Sequence, residues 1–270
     1  MSGVLLRRTV AAARWRLLAV TAGLALWGFL LPVIYATFGA DFRRLVEGGY
    51  FGDLFELFTS FAGGSVFTLS GSVALGFVHP IPIALAAVFA IGYPVAAIAG
   101  ERQRGTLEVI LARPISRRRL YLTALAATGL FVLVALAGNG AGIVAGSVLF
   151  GVADELEPEQ LLLAWANAVL LFLALGALAL AASASFDRLA PALGLTLGFA
   201  LASYAVEFLG AIWPDIGWLR PWSLFHYFQP AEILAGEASP TDTLVLAGIT
   251  AAAAAYALWA FPRRDLAAPS

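Results

Sequence analysis

Few side chains in this sequence are equipped for chemistry, and they do not combine into a reactive set. His79 and His226 are the only histidines, and two imidazoles without a clustered carboxylate fall short of a metal site. Ser72 and His226 could be nominated as nucleophile and base of an intramembrane protease, but no local nucleophile motif accompanies either. Asp154, Glu155, Glu157 and Glu159 superficially resemble a metal-binding carboxylate cluster for a diphosphate; interrupted by Pro158, the run reads better as a solvated turn. Cysteine is absent, so there is no thiolate, disulfide or Cys-based metal site. All 16 basic residues are arginine. Without lysine there is no P-loop to reach terminal phosphates and no Schiff base. The chain is therefore expected to have no catalytic residues, no metal and no cofactor of its own, and any nucleotide the system uses is bound by another chain.

The elements around these residues are set by the solvent they need. Of the 270 residues 61% are hydrophobic and only 12% charged, with a mean hydropathy of +0.89, too apolar for an ordinary soluble domain. Uncharged stretches match the roughly 20 apolar residues that cross a bilayer as a helix. We read an all-α integral membrane protein, one transmembrane domain over 1–270, with six spans at 17–38, 78–100, 120–150, 160–186, 189–212 and 243–261. The stretch 17–38 exceeds the roughly 7–15 apolar residues of a signal peptide, so it reads as a retained anchor. Arg7–Arg8 reads as a topology signal rather than a twin-arginine export signal.

Arginine distribution orients the helices. With the N-terminus inside, the inner segments carry Arg7, Arg8, Arg14, Arg16, Arg102, Arg104, Arg113, Arg117, Arg118, Arg119, Arg188, Arg263 and Arg264; the outer segments carry only Arg43, Arg44 and Arg220. Such a 13-to-3 bias follows the positive-inside rule. It predicts a multi-pass protein of the plasma membrane with both termini cytoplasmic. It also accounts for the arginines without nucleic acid. Region 57–100 could hold two helices, but a seventh span would turn 101–119 outward, and Gly63, Gly64, Ser65, Ser70, Gly71 and Ser72 make a poor lipid-facing helix.

Three segments read as interfacial. Residues 4–16 mix Val4, Leu5 and Val10 with arginines, as in an amphipathic helix on the inner surface. Residues 50–61 place Phe51, Leu54, Phe55, Phe58 and Phe61 at helical spacing. Trp213, Trp218, Trp222, Phe225, Tyr227 and Phe228, punctuated by Pro214, Pro221 and Pro230, read as an outer aromatic belt, with a substrate exit portal as the second option. Within the spans, Gly138, Gly142 and Gly146 make two GxxxG steps suited to close helix packing, within the chain or between copies. Gly138–Asn139–Gly140 has no preceding strand and is no dinucleotide loop. Glu207, one to two turns from the outer end of the fifth span, reads as part of a transport path, as a carboxylate reaching interfacial water, or as a structural partner of Arg220.

The most informative stretch is 101–119, Glu-Arg-Gln-Arg-Gly-Thr-Leu-Glu-Val-Ile-Leu-Ala-Arg-Pro-Ile-Ser-Arg-Arg-Arg. Gly105 allows a sharp exit from the second span, and Thr106 is a plausible N-cap. Leu107, Ile110 and Leu111 share one face of a short helix, with Glu108 near its positive end. Pro114 stops it and Ser116 caps the next span. The result is a short amphipathic crossbar at the inner surface, gripped by two spanning helices and flanked by arginines.

This stretch resembles the loop between the second and third spans in permease subunits of ABC-2 type transporters. That family characteristically shows Glu-x-x-x-Gly-Thr-Leu-Glu followed by Pro-x-Ser-Arg. Here Glu101, Gly105, Thr106, Leu107 and Glu108 match the first part, and Pro114, Ser116 and Arg117 the second. The six-span topology, the amphipathic N-terminus and the Arg263-Arg264-Asp265-Leu266 tail are similar too. The resemblance implies that Glu101, Arg104, Gly105, Thr106, Leu107, Glu108, Leu111 and Arg113 form a coupling helix docking on a separate ATPase, which binds ATP and Mg. It implies two ATPase copies, a second permease subunit (the same chain or a related one) and, for most members, export. The competing class is an ion-coupled secondary transporter or channel, which would carry ionisable or broken-helix sites near the midplane, often in inverted repeats. Apart from Glu207 the sequence has neither.

Overall fold

The structure is a computed structural model describing residues 3–47, 67–112 and 115–263. Its elements in chain order are α1 (Gly3–Glu47), α2 (Leu69–Val78), α3 (Pro80–Gln103), α4 (Thr106–Leu111), α5 (Arg117–Leu149), α6 (Pro158–Ser185), α7 (Leu189–Ile212), 3₁₀ turns over Pro214–Trp222 and Leu224–Tyr227, α8 (Pro230–Leu234) and α9 (Pro240–Arg263). The described residues contain no strand. Six helices, α1, α3, α5, α6, α7 and α9, are long and apolar enough to cross a membrane. The shortest have 24 residues, about 36 Å at 1.5 Å per residue, enough for a hydrocarbon core of about 30 Å. The chain is an all-α integral membrane protein. We call the end of the bundle bearing residues 101–119 inner, following the arginines.

Sequence and structure part in detail at two places. Residues 4–16 are helical as expected but continue unbroken into the first span as α1. No glycine or proline occurs between residues 4 and 22 to interrupt the hydrogen-bond ladder. Leu6 and Val10 lie against the core, and Ala13 is buried. Second, α2 forms within the region judged too polar for lipid. It has 10 residues, about 15 Å, too short to span. Leu69, Val73, Ala74 and Phe77 are buried against protein rather than lipid. The expected amphipathic segment 50–61 lies outside the described residues.

Helix α3 is irregular: Val88–Gly92 and Ala96–Gly100 are π-helical on either side of Pro94. Pro94 has no N–H, so no i→i+4 bond can close onto Ala90. Beside the proline, the Tyr93 N–H reaches the Val88 carbonyl five residues back. Small residues of α6 receive this section. A Cβ on Gly176 would lie 3.2 Å from the Ala90 carbonyl oxygen, and Ser183 Oγ sits 3.4 Å from the Pro94 carbonyl.

The α2–α3 junction turns on His79. Its Nδ1 accepts from the Ile81 N–H at 3.2 Å, capping α3, and its ring lies 4.6 Å from that of Trp27. Burial lowers the imidazole pKa below its ordinary 6.5. A depressed pKa contributes stability that is present above the unfolded value and lost as pH falls towards the folded one. Melting temperature in detergent should therefore drop on acidification from about pH 7.5 to about 5.5, bracketing the unperturbed imidazole. His79→Asn, which keeps a cap acceptor but does not titrate, should flatten part of that slope; an unchanged slope would refute the assignment.

Candidate functional site

The crossbar forms, with its polarity defined by which residues face the bundle. Gly105 has φ +70°, the left-handed conformation in which a Cβ is costly, and it is the N-cap of α4. Thr106, expected as the cap, is instead the first helical residue. Its hydroxyl turns back to donate to Glu101, to the backbone carbonyl at 3.1 Å and to the carboxylate. Arg104 pairs with that same carboxylate. Glu101 thus holds both sides of the Gly105 turn. Ser116 caps α5 as expected, its Oγ accepting from the Arg119 N–H at 3.2 Å, while Arg117 donates to the Pro262 carbonyl at 3.3 Å.

The residues of α4 divide into two groups. Leu107 is fully buried in an inner cluster with Ile98, Leu120, Tyr121, Leu180 and Phe261. Ile110 and Leu111 pack against the same cluster. These leucines, grouped in the sequence reading with the docking residues, face the bundle and anchor α4. A partner can meet the exposed set: Arg104, Thr106, Glu108, Val109 and Ala112. Val109, at 68% exposure, was missed from sequence because an apolar residue on a short helix is more easily assigned to the buried face. Arg113 and Pro114 lie outside the described residues.

Arg102 and Gln103 belong to the same region without matching the family motif. Arg102 is buried, with Nη1 2.9 Å from Asp187 Oδ1, and Gln103 Oε1 accepts from the Leu189 N–H at 2.8 Å. A legible signal existed: α7 starts after Arg188, a residue type poorly suited to capping, so its first turn needed an acceptor from elsewhere.

Glu207 belongs to a different arrangement at the outer end. One face of α7 buries Thr196, Ser203, Glu207 and Gly210, while Leu195, Phe199 and Leu201 point outward from the bundle. Arg220 donates from Nε and Nη2 to Glu207 Oε1 at 3.0 and 2.6 Å. His226 Nδ1 stands 3.5 Å from Oε2. Gly210 makes room for the arginine stem, since a Cβ there would lie 2.6 Å from Arg220 Cγ. Beside it, Ser223 Oγ donates to the Ser203 carbonyl at 2.8 Å, and Ser203 Oγ accepts from the Leu224 N–H. The polar face of α7 clamps the aromatic turns, and Glu207 pairs with Arg220 there. Arg220→Ala would strip a buried carboxylate of its partner. The cost should be about 3 kcal/mol, the low end for such losses, because the Arg220 side chain is one-third exposed. Glu207→Gln, which keeps an acceptor, should cost clearly less; thermal unfolding of the two variants checks the order. The acidic loop lies elsewhere: Tyr35 donates to Glu155 at 2.7 Å beside an outer cleft of about 510 Å³ also lined by Arg43 and Phe67.

Six helices able to cross a membrane, with an anchored crossbar between the second and third, make up the bundle. Residues 15–266 match the ABC-2 family transporter protein family, and the chain belongs to that family. No curated protein and no solved structure matches the chain.

Proposed function

We propose that this chain is the membrane-spanning permease subunit of an ATP-driven exporter, coupled through residues 101–119 to a separate ATPase. The observation that carries the reading is the construction of α4. It is fixed to the bundle by Leu107, started by the positive-φ Gly105, and leaves Glu108 and Val109 exposed. A short helix held this way cannot yield locally, so force applied to its exposed side passes into α3 and α5. ATP and Mg belong to the partner, and two ATPase copies act with two permease subunits, since six spans supply about half of a transporter. The arginine bias supports a plasma-membrane protein with cytoplasmic termini and an inward-facing α4. The ion-coupled alternative gains nothing from Glu207, whose carboxylate is taken up by Arg220.

Purification of the tagged chain from its own membrane tests the reading. A P-loop ATPase without membrane spans should co-purify, and a cysteine placed at Glu108 should react with an impermeant maleimide only from the cytoplasmic side. The native chain has no cysteine, so the label is unambiguous. Labelling from the exterior, or a chain that hydrolyses nothing and recovers no ATPase, would overturn it.

A further inference from the structure

The inner end of α3 leads into α4, and it also holds the start of α7. Arg188, at the N-cap of α7, makes no side-chain cap bond, and the first N–H groups of a helix require acceptors from elsewhere. Gln103 supplies one across the bundle, its Oε1 2.8 Å from the Leu189 nitrogen. One turn residue earlier, Asp187 pairs with buried Arg102 at 2.9 Å. The Leu189 side chain packs against the Gly100 backbone at the same point: a Cβ on Gly100 would lie 3.2 Å from Leu189 Cδ1. Within four residues, then, α3 is bound to the α6–α7 turn by a cap, an ion pair and a steric fit, and Gly105 opens α4 immediately afterwards.

We propose that Gln103 and Arg102 are positioning residues that join the inner end of α3 and the first turn of α7 into one body. A displacement of α4 is then delivered to the fifth span as well as to the two spans flanking the crossbar. This inference rests on the coupling reading above. It gives α7 a defined role, because the outer half of the same helix holds the aromatic turns through Glu207–Arg220 and Ser203–Ser223. Movement entering at Leu189 reaches the outer face along a single helix. The π-helical stretches of α3 end at Gly100, before Arg102 and Gln103, so their compliance does not intervene between α4 and these two residues.

Hydrogen exchange on the purified complex with its ATPase, with and without ATP and vanadate, tests the joint. In the native complex, trapping should change exchange in α4 and in the first turn of α7 together. Gln103→Ala should raise exchange at the start of α7 about fivefold, the effect of losing a cap contribution of about 1 kcal/mol. It should also abolish the trapping response there while leaving the α4 response and ATPase recovery intact. Gln103→Glu, which keeps an acceptor oxygen at the helix N-terminus, should restore the α7 response. If Gln103→Ala does not assemble, Asp187→Asn loosens the same joint from its exposed side and is read identically. An α7 response that survives these variants, or a native α7 that stays silent while α4 responds, overturns the inference. A silent α4, or loss of the ATPase from the native complex, overturns the coupling reading itself.

Discussion

Gly142→Leu should prevent the bundle from closing, with the purified protein aggregating or melting far below the native chain. The reason is the α1–α5 crossing, where the two backbones touch. A Cβ on Gly142 would stand 2.0 Å from the Ala25 carbonyl oxygen. On Gly138 and Gly146 it would stand 2.6 and 2.7 Å from the carbonyls of Thr21 and Phe29. From the other helix, a Cβ on Gly28 would meet the Asn139 carbonyl at 2.2 Å. Backbone atoms cannot rotate aside as a side-chain tip can, so the helices themselves must separate. Overpacking ordinarily costs about 1–3 kcal/mol, and leucine adds three carbons beyond the methyl that already clashes. Separation would also strain the bond from Asn139 Nδ2 to the Leu24 carbonyl, 3.3 Å long and buried. Gly248→Leu is the control, because nothing lies within 4 Å of a Cβ there. Size-exclusion profiles and thermal unfolding of the pair decide the matter; equal behaviour would refute the crossing.

Gly105→Val should release the ATPase while leaving the chain in the membrane. The left-handed conformation costs an ordinary residue about 1–2 kcal/mol, and a β-branched side chain more, so the turn opens and α4 leaves the geometry its partner recognises. Converted at 1.4 kcal/mol per decade, recovery of the ATPase should fall about tenfold or more. Glu101→Ala acts on the same turn by removing the carboxylate that accepts from Thr106 and Arg104, while the backbone carbonyl still accepts from Thr106. Its effect should be smaller than that of Gly105→Val, since Thr106 keeps the backbone acceptor and an ion pair with the exposed Arg104 contributes little. Glu108→Ala touches only the exposed face and should weaken docking without disturbing α4. Helix content by circular dichroism separates the two mechanisms. Unchanged ATPase recovery in all three variants would sink the coupling assignment.

The legible part of this molecule was what one-dimensional pattern encodes. Span limits such as 189–212 and 120–150 recur as Leu189–Ile212 and Arg117–Leu149, because hydropathy and breaker residues act locally. The crossbar was legible for the same reason, in Gly105, Ser116 and the spacing of Leu107, Ile110 and Leu111. Less legible were contacts between residues far apart in the chain. Leu107 gave no sign of whether its apolar side chain faced a partner or the bundle; the pocket among Ile98, Tyr121, Leu180 and Phe261 decides that. The GxxxG steps announced close packing without naming α1 as the helix they meet. Gln103 carries no signal as a residue, since its acceptor matters only where Leu189 happens to lie.

By itself the sequence determined the solvent, the number of spans and the arginine-rich side of the bundle, since the cost of leaving charge or unpaired backbone in hydrocarbon is paid residue by residue. Tertiary structure alone decided which helices touch, which face of α4 is free, and that Glu207 is held by Arg220 instead of standing open. Those choices depend on shape complementarity and on partners brought together from distant segments, and neither is written in any local window of residues.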